Sequence, residues 1–292
     1  MSSCPCKKFD GAHPLQYVKT LHIVIAMCNV QPNLQPFHEI VKMHDDARIF
    51  VISKCGQSPS LPYNVTVKHV ANVGRVDHAY LTYLDEHYYN LPDVAIFIKD
   101  SWNLHTIGPL KNPMRVLNDA KRHGFACGMR LPIWHDIHRL KKFGIGEYKK
   151  SHDQNPNGNT VFAKYPFYEE WAKDVGLKQL LSTTNEIVPV CYGGSFTVTG
   201  ENMRRVTKQQ YSTLKKSLER GDNIQEGHFM ERSWALLLTR EPSQSTHQRL
   251  LESTEENLIV DTETPWYRGM RRCTCDVVGF FGSRPKGHPV FD

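Results

Sequence analysis

The stretch NVGRVDHAYLTYLDEHYYNLPDVAIFIKD, residues 72–100, decides the reading of this chain. Within it Tyr80, Tyr83, Leu84, His87 and Tyr88 recur at i, i+3, i+4, i+7 and i+8. That is the spacing of one apolar helix face. Asn90-Leu91-Pro92 stops the helix. DVAIFIKD (93–100) has a continuous apolar centre and reads as a buried strand. A turn, a helix and a strand that ends on an acid therefore follow one another. The question is whether the glycine, arginine and acids form a ligand site or merely punctuate the fold.

Working outward, LHIVIAMCNV (21–30), ARIFVISKCG (47–56) and VTVKHV (65–70) also read as strands, with HEIVKMHDD (38–46) at helical spacing between the first two. Strands alternating with helices predict βαβ units and a largely parallel sheet. Further on, 113–123, 168–176, 201–221 and 228–239 read as helices, 125–134 as a strand and turn, and EIVPVCYGGSFTVTG (186–200) as a strand pair kinked at its double glycine. Residues 141–164, which contain SHDQNPNGNT, read as a long mobile loop. The expected fold is α/β: an N-terminal arm (1–17), a single domain (18–240) with a mostly parallel central sheet flanked by helices, and an irregular tail (241–292) packing on it.

Composition narrows the function. The chain has 292 residues, 40% hydrophobic and 23% charged, ordinary for a globular protein. No apolar run reaches membrane-spanning length. MSSCPCKKFDGAHP has no apolar leader core, which leaves the cytoplasm as the default expectation. The net charge of +6 suits an anionic ligand such as a nucleotide or phosphate. Its short Lys/Arg clusters argue against a nucleic-acid partner. Eight cysteines are too few for a disulfide scaffold of this size. Cys28, Cys55, Cys127 and Cys191 read as small buried thiols. Cys4/Cys6 and Cys273/Cys275 admit two disulfides, plain thiols or, weakly, a zinc site.

In open α/β sheets ligands bind outside the carboxyl ends of the strands. That rule selects Asn29, the segment Asn72–Asp77, Asp100 with His105, and the loop Cys191–Gly194. Gly74 permits a tight turn, and the Arg75 fork suits phosphate or carboxylate. Asp77 falls in the first helical turn, where it can cap. A turn, an exposed arginine and a cap account for the same residues. Asp100 can hold a divalent cation, with His105 as a second ligand or a donor. Gly193 and Gly194 inside a strand pattern mark a bulge or a close approach. In EGHFMERSW (226–234), Glu231 can act as a general base, or it can be a helix acid paired with Arg232. Trp234 reads as core. His135 and His138 are a weak metal pair.

Taken together, NVGRVDHAYLTYLDEHYYNLPDVAIFIKD, CYGGSFTVTGENMRR and GHFMERSWALLL resemble the DUF3431 family over roughly residues 20–240. The family's acid after Gly-Arg is replaced here by Val76, with Asp77 next to it. The family in turn resembles glycosyltransferases of the GT-A type. That resemblance implies a single Rossmann-related domain binding a nucleotide sugar at the strand ends, and a glycan or glycoconjugate acceptor. Many such enzymes hold Mn2+ or Mg2+ with Asp-x-Asp. This sequence has no Asp-x-Asp, and Asp100 stands where the strand rhythm would put it. In that reading Asn29, Asn72, Gly74, Arg75, Asp77 and His105 shape the donor pocket. Asp100 holds a metal or the donor sugar, Gly193, Gly194 and His228 line the acceptor cleft, and Glu231 is the base. A catalytically inactive carbohydrate-binding or interaction protein on the same fold is the alternative. A hydrolase ranks last, since neither G-x-S-x-G nor H-E-x-x-H occurs.

Overall fold

Every residue of strand β1 (Leu21–Met27) is buried, as its β-branched, apolar sequence requires. Its side chains alternate between two faces. Leu21, Ile23 and Ile25 join one core cluster, Val24 and Ala26 the other. In the computed structural model, which describes residues 18–101, 113–128, 133–144, 164–177 and 187–239, this strand is central to a six-stranded sheet. The strand order is β3-β2-β1-β4-β8-β5. β2 (Ala47–Ser53) and β4 (Val94–Lys99) flank β1 in parallel, and β3 (Val65–His69) runs parallel to β2 at the edge. β8 (Phe196–Thr199) is antiparallel to both β4 and β5 (Phe125–Cys127). The mostly parallel α/β sheet flanked by helices is thus present.

Helices cover both faces. On one lie α1 (His38–Met43) through Ile40 and α3 (Pro113–His123) through Val116, Leu117 and Ala120. On the other lie α2 (Arg75–Glu86) through Tyr80, Tyr83 and Leu84, and α8 (Gln225–Leu238) through Phe229 and Trp234. Tyr80 is edge-on to Phe97 of β4 and Phe196 of β8, so the aromatic stripe read from the sequence is the contact between α2 and the sheet. Short helices α4 (Ile137–Lys141), α5 (Tyr168–Asp174), α6 (Gly200–Arg204) and α7 (Lys208–Ser217) complete the described chain. No described helix is long and apolar enough to cross a membrane.

Three expectations change. The 186–200 strand pair divides between two sheets: β7 (Ile187–Val190) pairs with β6 (Ile133–Asp136), while β8 enters the central sheet. Gly193 (φ 95°) and Gly194 (φ 63°) turn the chain between them. The single helix expected over 201–221 is two, because the Thr207 hydroxyl accepts from Gln210 N at 3.1 Å and starts a new helix. The four cysteines read as plain thiols are paired, Cys28 with Cys55 and Cys127 with Cys191. Cys28 and Cys55 are half-buried just past the ends of the paired strands β1 and β2, Cys127 and Cys191 are buried on β5 and just past β7, and each pair is within bridging distance (Cα–Cα 4.8 and 5.7 Å). The arm, the tail, the Cys4/Cys6 and Cys273/Cys275 pairs, His105 and most of the 141–164 loop lie outside the described residues.

The Cys127–Cys191 bond ties β5 of the main sheet to the strand end of β7, closing a 64-residue separation. Replacing both cysteines by serine is expected to lower unfolding free energy by about 2–4 kcal/mol, measured by urea titration of the otherwise unchanged chain.

Candidate functional site

The strand order reverses between β1 and β4, the kind of crevice where doubly wound sheets take their ligands. Asp100, directly after β4, closes this point. Its Oδ2 accepts from the backbone N–H of Cys28 (2.7 Å) and Val30 (3.3 Å), on either side of the exposed Asn29. One oxygen of the acid thus fixes the turn after β1.

Beside it, Lys54 follows β2 and is buried, with its Nζ 3.1 Å from Asp222 Oδ1. Burial pushes the lysine's pKa down, while Asp222 opposes that shift. Asn72, after β3, donates to Asp222 Oδ2 at 3.1 Å. The same turn supplies backbone acceptors: Gly74 N–H donates to Gly221 O (2.7 Å) and Arg75 N–H to Asp222 O (3.1 Å). These bonds fit two successive left-handed residues, Gly74 (φ 57°, ψ 30°) and Arg75 (φ 54°). Arg75 is the one non-glycine residue with positive φ among those described. Such a conformation costs a side-chain-bearing residue about 1–2 kcal/mol. Gly74 has no such cost, but a Cβ there would lie 2.5 Å from Leu218 Cβ.

The turn aims Arg75 at α8. Its Nη1 lies 2.9 Å from His228 Nδ1 and 3.4 Å from Glu231 Oε2. Arginine can only donate, so that histidine nitrogen accepts. Gly227 leaves room for the arginine stem, since a Cβ there would come 2.9 Å from Arg75 Cδ. Glu231 Oε1 accepts from Gly193 N–H at 2.9 Å. Residues 227, 228, 231 and 234 fall on one face of α8 by helical spacing. The fourth, Trp234, donates Nε1–H to Asp77 Oδ1 at 2.7 Å. Asp77 is buried, and its Oδ2 has no hydrogen-bond partner among the described residues.

Two carboxylates are therefore set apart. Burial, with the Glu231 charge adding, pushes the Asp77 carboxyl up to about 7 against the pull of Arg75 and the Trp234 bond. Burial also works against ionisation of Glu231. Arg75, Arg232 and the Gly193 N–H outweigh it and hold that carboxyl below its usual range. Acids driven apart in this way mark functional sites more often than chance.

Several sequence expectations are redirected. Asp77 is not a cap: Gly74 occupies the N-cap position, and the carboxylate lies buried against Trp234. Trp234 is core, as expected, but it also holds this acid. Glu231 pairs with Arg75 from the other end of the chain. Its neighbour Arg232 instead stacks on Phe143 (3.7 Å) and donates to His228 O. Gly193 contributes its N–H, and Gly194 packs where a Cβ would meet Val76 at 2.9 Å. Asn29, Asn72, Gly74, Arg75, Asp77, Asp100, Gly193, Gly194, His228 and Glu231 all lie near the strand ends or on the α2 and α8 segments beside them. Lys54 and Asp222 were not expected. The signal for Lys54 is its position after a buried strand, and for Asp222 a Gly-Asp turn before a helix. Among the described residues no group of three or more His, Cys, Asp or Glu side chains is placed to hold a metal. Asp100 offers one carboxylate with an oxygen already bonded to two amides. His105, the second ligand that the sequence suggests, lies outside the described residues.

A family described as "Protein of unknown function (DUF3431)" matches residues 43–250, well over half of the chain. The chain belongs to the DUF3431 family. The DUF3431 span takes in Lys54, the Asn72–Asp77 turn, Asp100, the Gly193–Gly194 turn, Asp222 and the polar face of α8, and leaves out β1 with Asn29. No curated protein matches the chain.

The sign of the Asp77 shift fixes a pH dependence. The folded state holds this proton up to about pH 7, whereas the unfolded chain releases it near pH 4. Stability contributed by Asp77 is complete below pH 4, falls as the pH rises to 7, and is constant above. Asp77→Asn, which retains an acceptor for Trp234, is expected to flatten the curve by roughly 2–4 kcal/mol across that window, read from denaturation midpoints at each pH. Gly74→Ala combines left-handed strain with a clash on Leu218. It is expected to destabilise by about 2–4 kcal/mol in the same assay.

Proposed function

We propose that this protein is a sugar transferase of the GT-A type, acting on a nucleotide-sugar donor and a glycan or glycoconjugate acceptor at the carboxyl ends of its sheet. The observation that carries the reading is the strained Arg75 turn. A cationic fork is held in an unfavourable backbone conformation at the N-terminus of α2, against a shielded carboxylate from α8. Strain of this kind accumulates where a side chain must be presented in one direction. The resemblance to GT-A enzymes supplies the ligand class.

In this reading Arg75 stabilises the negative charge that grows on the departing diphosphate. Lys54 and Asn72 stand beside it around the Asp222 carboxylate. Asp100 and Asn29 border the crevice between β1 and β4 where the donor lies. The acceptor approaches over the Gly193–Gly194 turn, next to His228. Its hydroxyl oxygen bonds to the anomeric carbon as the bond to diphosphate breaks. Glu231 is held ionised, so it orients or receives the hydroxyl proton without first having to lose one of its own. The Arg75 pairing also makes it a weak base. A second reading, a carbohydrate-binding protein without catalysis, is favoured by one specific observation: Glu231 and Asp100 both already accept hydrogen bonds within the protein.

A thermal-shift screen of nucleoside diphosphates and nucleotide sugars, with and without Mn2+, tests the transferase reading. Ligand at a hundred times its dissociation constant adds about 2.7 kcal/mol to the folded state. One nucleotide is expected to raise Tm in the wild type and lose most of the shift in Arg75→Ala. Release of nucleoside diphosphate on adding an acceptor then separates the transferase from the inactive binder. A folded protein with no shift for any nucleotide contradicts the transferase.

A further inference from the structure

The two disulfides among the described residues constrain where this chain folds. Disulfides persist in oxidising compartments and are rare in the reducing cytosol. Both join strand ends of the core, and the described residues contain no free cysteine. The default cytoplasmic expectation therefore loses its footing. A second, independent feature points the same way. Asn64-Val65-Thr66 is an N-x-[ST] triplet without proline at its middle position, the acceptor motif for N-linked oligosaccharide.

The fold presents this triplet. Asn64 is exposed in the loop just before β3, and Thr66 is exposed within that strand. Tyr63 is anchored by a 2.9 Å hydrogen bond between its hydroxyl and His38 Nδ1. The asparagine therefore projects from a fixed turn. Among the described residues β3 is the edge of the central sheet and pairs only with β2. Its outer side is a row of backbone groups of the kind proteins cover or blunt to prevent edge-to-edge pairing. Asn64 also lies at the amino end of β3, whereas the polar cluster of Lys54, Asn72 and Arg75 lies beyond the carboxyl ends. The five residues of β3 separate the two by about 16 Å.

We propose that Asn64 carries an N-linked oligosaccharide, acquired in an oxidising secretory compartment, which covers the β3 edge and leaves the strand-end cluster open. The donor is a lipid-diphosphate-linked oligosaccharide used by the host's transferase. Asn64 Nδ2 forms the bond to the anomeric carbon, and the bond from that carbon to the diphosphate oxygen breaks. The lipid diphosphate leaves with the electron pair, and the amide proton passes to a base. The Thr66 hydroxyl is the part of the motif that the transferase requires. This inference is independent of the activity proposed above.

The test is peptide mapping of the full-length protein isolated unreduced from its native cells, before and after enzymatic release of N-glycans. The expected result is a glycan mass on the Asn64 peptide, conversion of Asn64 to aspartate on release, and a Cys28–Cys55 linked peptide. Asn64→Gln and Thr66→Ala, expressed in the same cells, each lose the glycan and its mobility step. An unmodified Asn64 peptide from protein with Cys28 and Cys55 bonded overturns the glycan. An unmodified peptide with those two cysteines as thiols overturns the compartment as well.

Discussion

The contact between Arg75 and Glu231 is the constraint on which the rest of this site depends. It joins the first turn of α2 to the face of α8 across 156 residues of sequence. A half-buried ion pair of this kind, its arginine side chain 30% and its glutamate 13% exposed, is not a strong stabiliser in itself, because solvent screening and desolvation offset much of the attraction. Its effect is to fix geometry. With Arg75 in place, Glu231 can remain ionised although half-buried, and its second oxygen is available to the Gly193 N–H. The Gly193–Gly194 turn is thereby held over α2, where the Tyr80 hydroxyl donates to Gly194 O at 2.6 Å. Asp77, one turn away and shut in by Trp234, takes the opposite protonation behaviour. One guanidinium thus organises Glu231 and the loop between β7 and β8, while burial under Trp234 sets Asp77.

The strain at Arg75 is offset from outside the helix. Gly221 and Asp222 accept the N–H groups of Gly74 and Arg75, and the Asp222 side chain is held by Lys54 and Asn72 from the ends of β2 and β3. The sheet therefore bears directly on the conformation of the turn. Fixed strand ends, sealed on one side by the Cys28–Cys55 bond and by Asp100 on the amides after β1, set the position of a loop that then sets the arginine.

What could be read from sequence follows the range of each interaction. Periodicity is local, so the helix through Tyr80, Tyr83 and Leu84 and the buried strands 21–27, 47–53 and 94–99 were legible, and with them the parallel sheet. The strand-end rule brought out Asn72, Arg75, Asp100 and the Gly193–Gly194 turn, because it needs only strand direction. Partners were not legible. Asp222 meets Asn72 across 150 residues, and the Gly-Asp turn that marks it in sequence says nothing of that partner. Asp77 looked like a cap because its position in the first turn is local information, whereas its burial under Trp234 is tertiary. The cysteines misled for the same reason: apolar flanks mark a buried thiol and a buried disulfide alike. The insertion of β8 between β4 and β5 is a long-range pairing that no local pattern encodes.

The central claim is that the Arg75 cluster exists to receive an anionic ligand and is more than an internal brace between α2 and α8. The most direct measurement is a crystal structure of the protein grown with a nucleoside diphosphate. The diphosphate is expected beside the Arg75 guanidinium, at the carboxyl ends of β1 and β4, with the left-handed turn at Gly74 and Arg75 unchanged. A structure with the nucleotide bound elsewhere, or absent at saturating concentration with Arg75 still closed on Glu231 and His228, would contradict it.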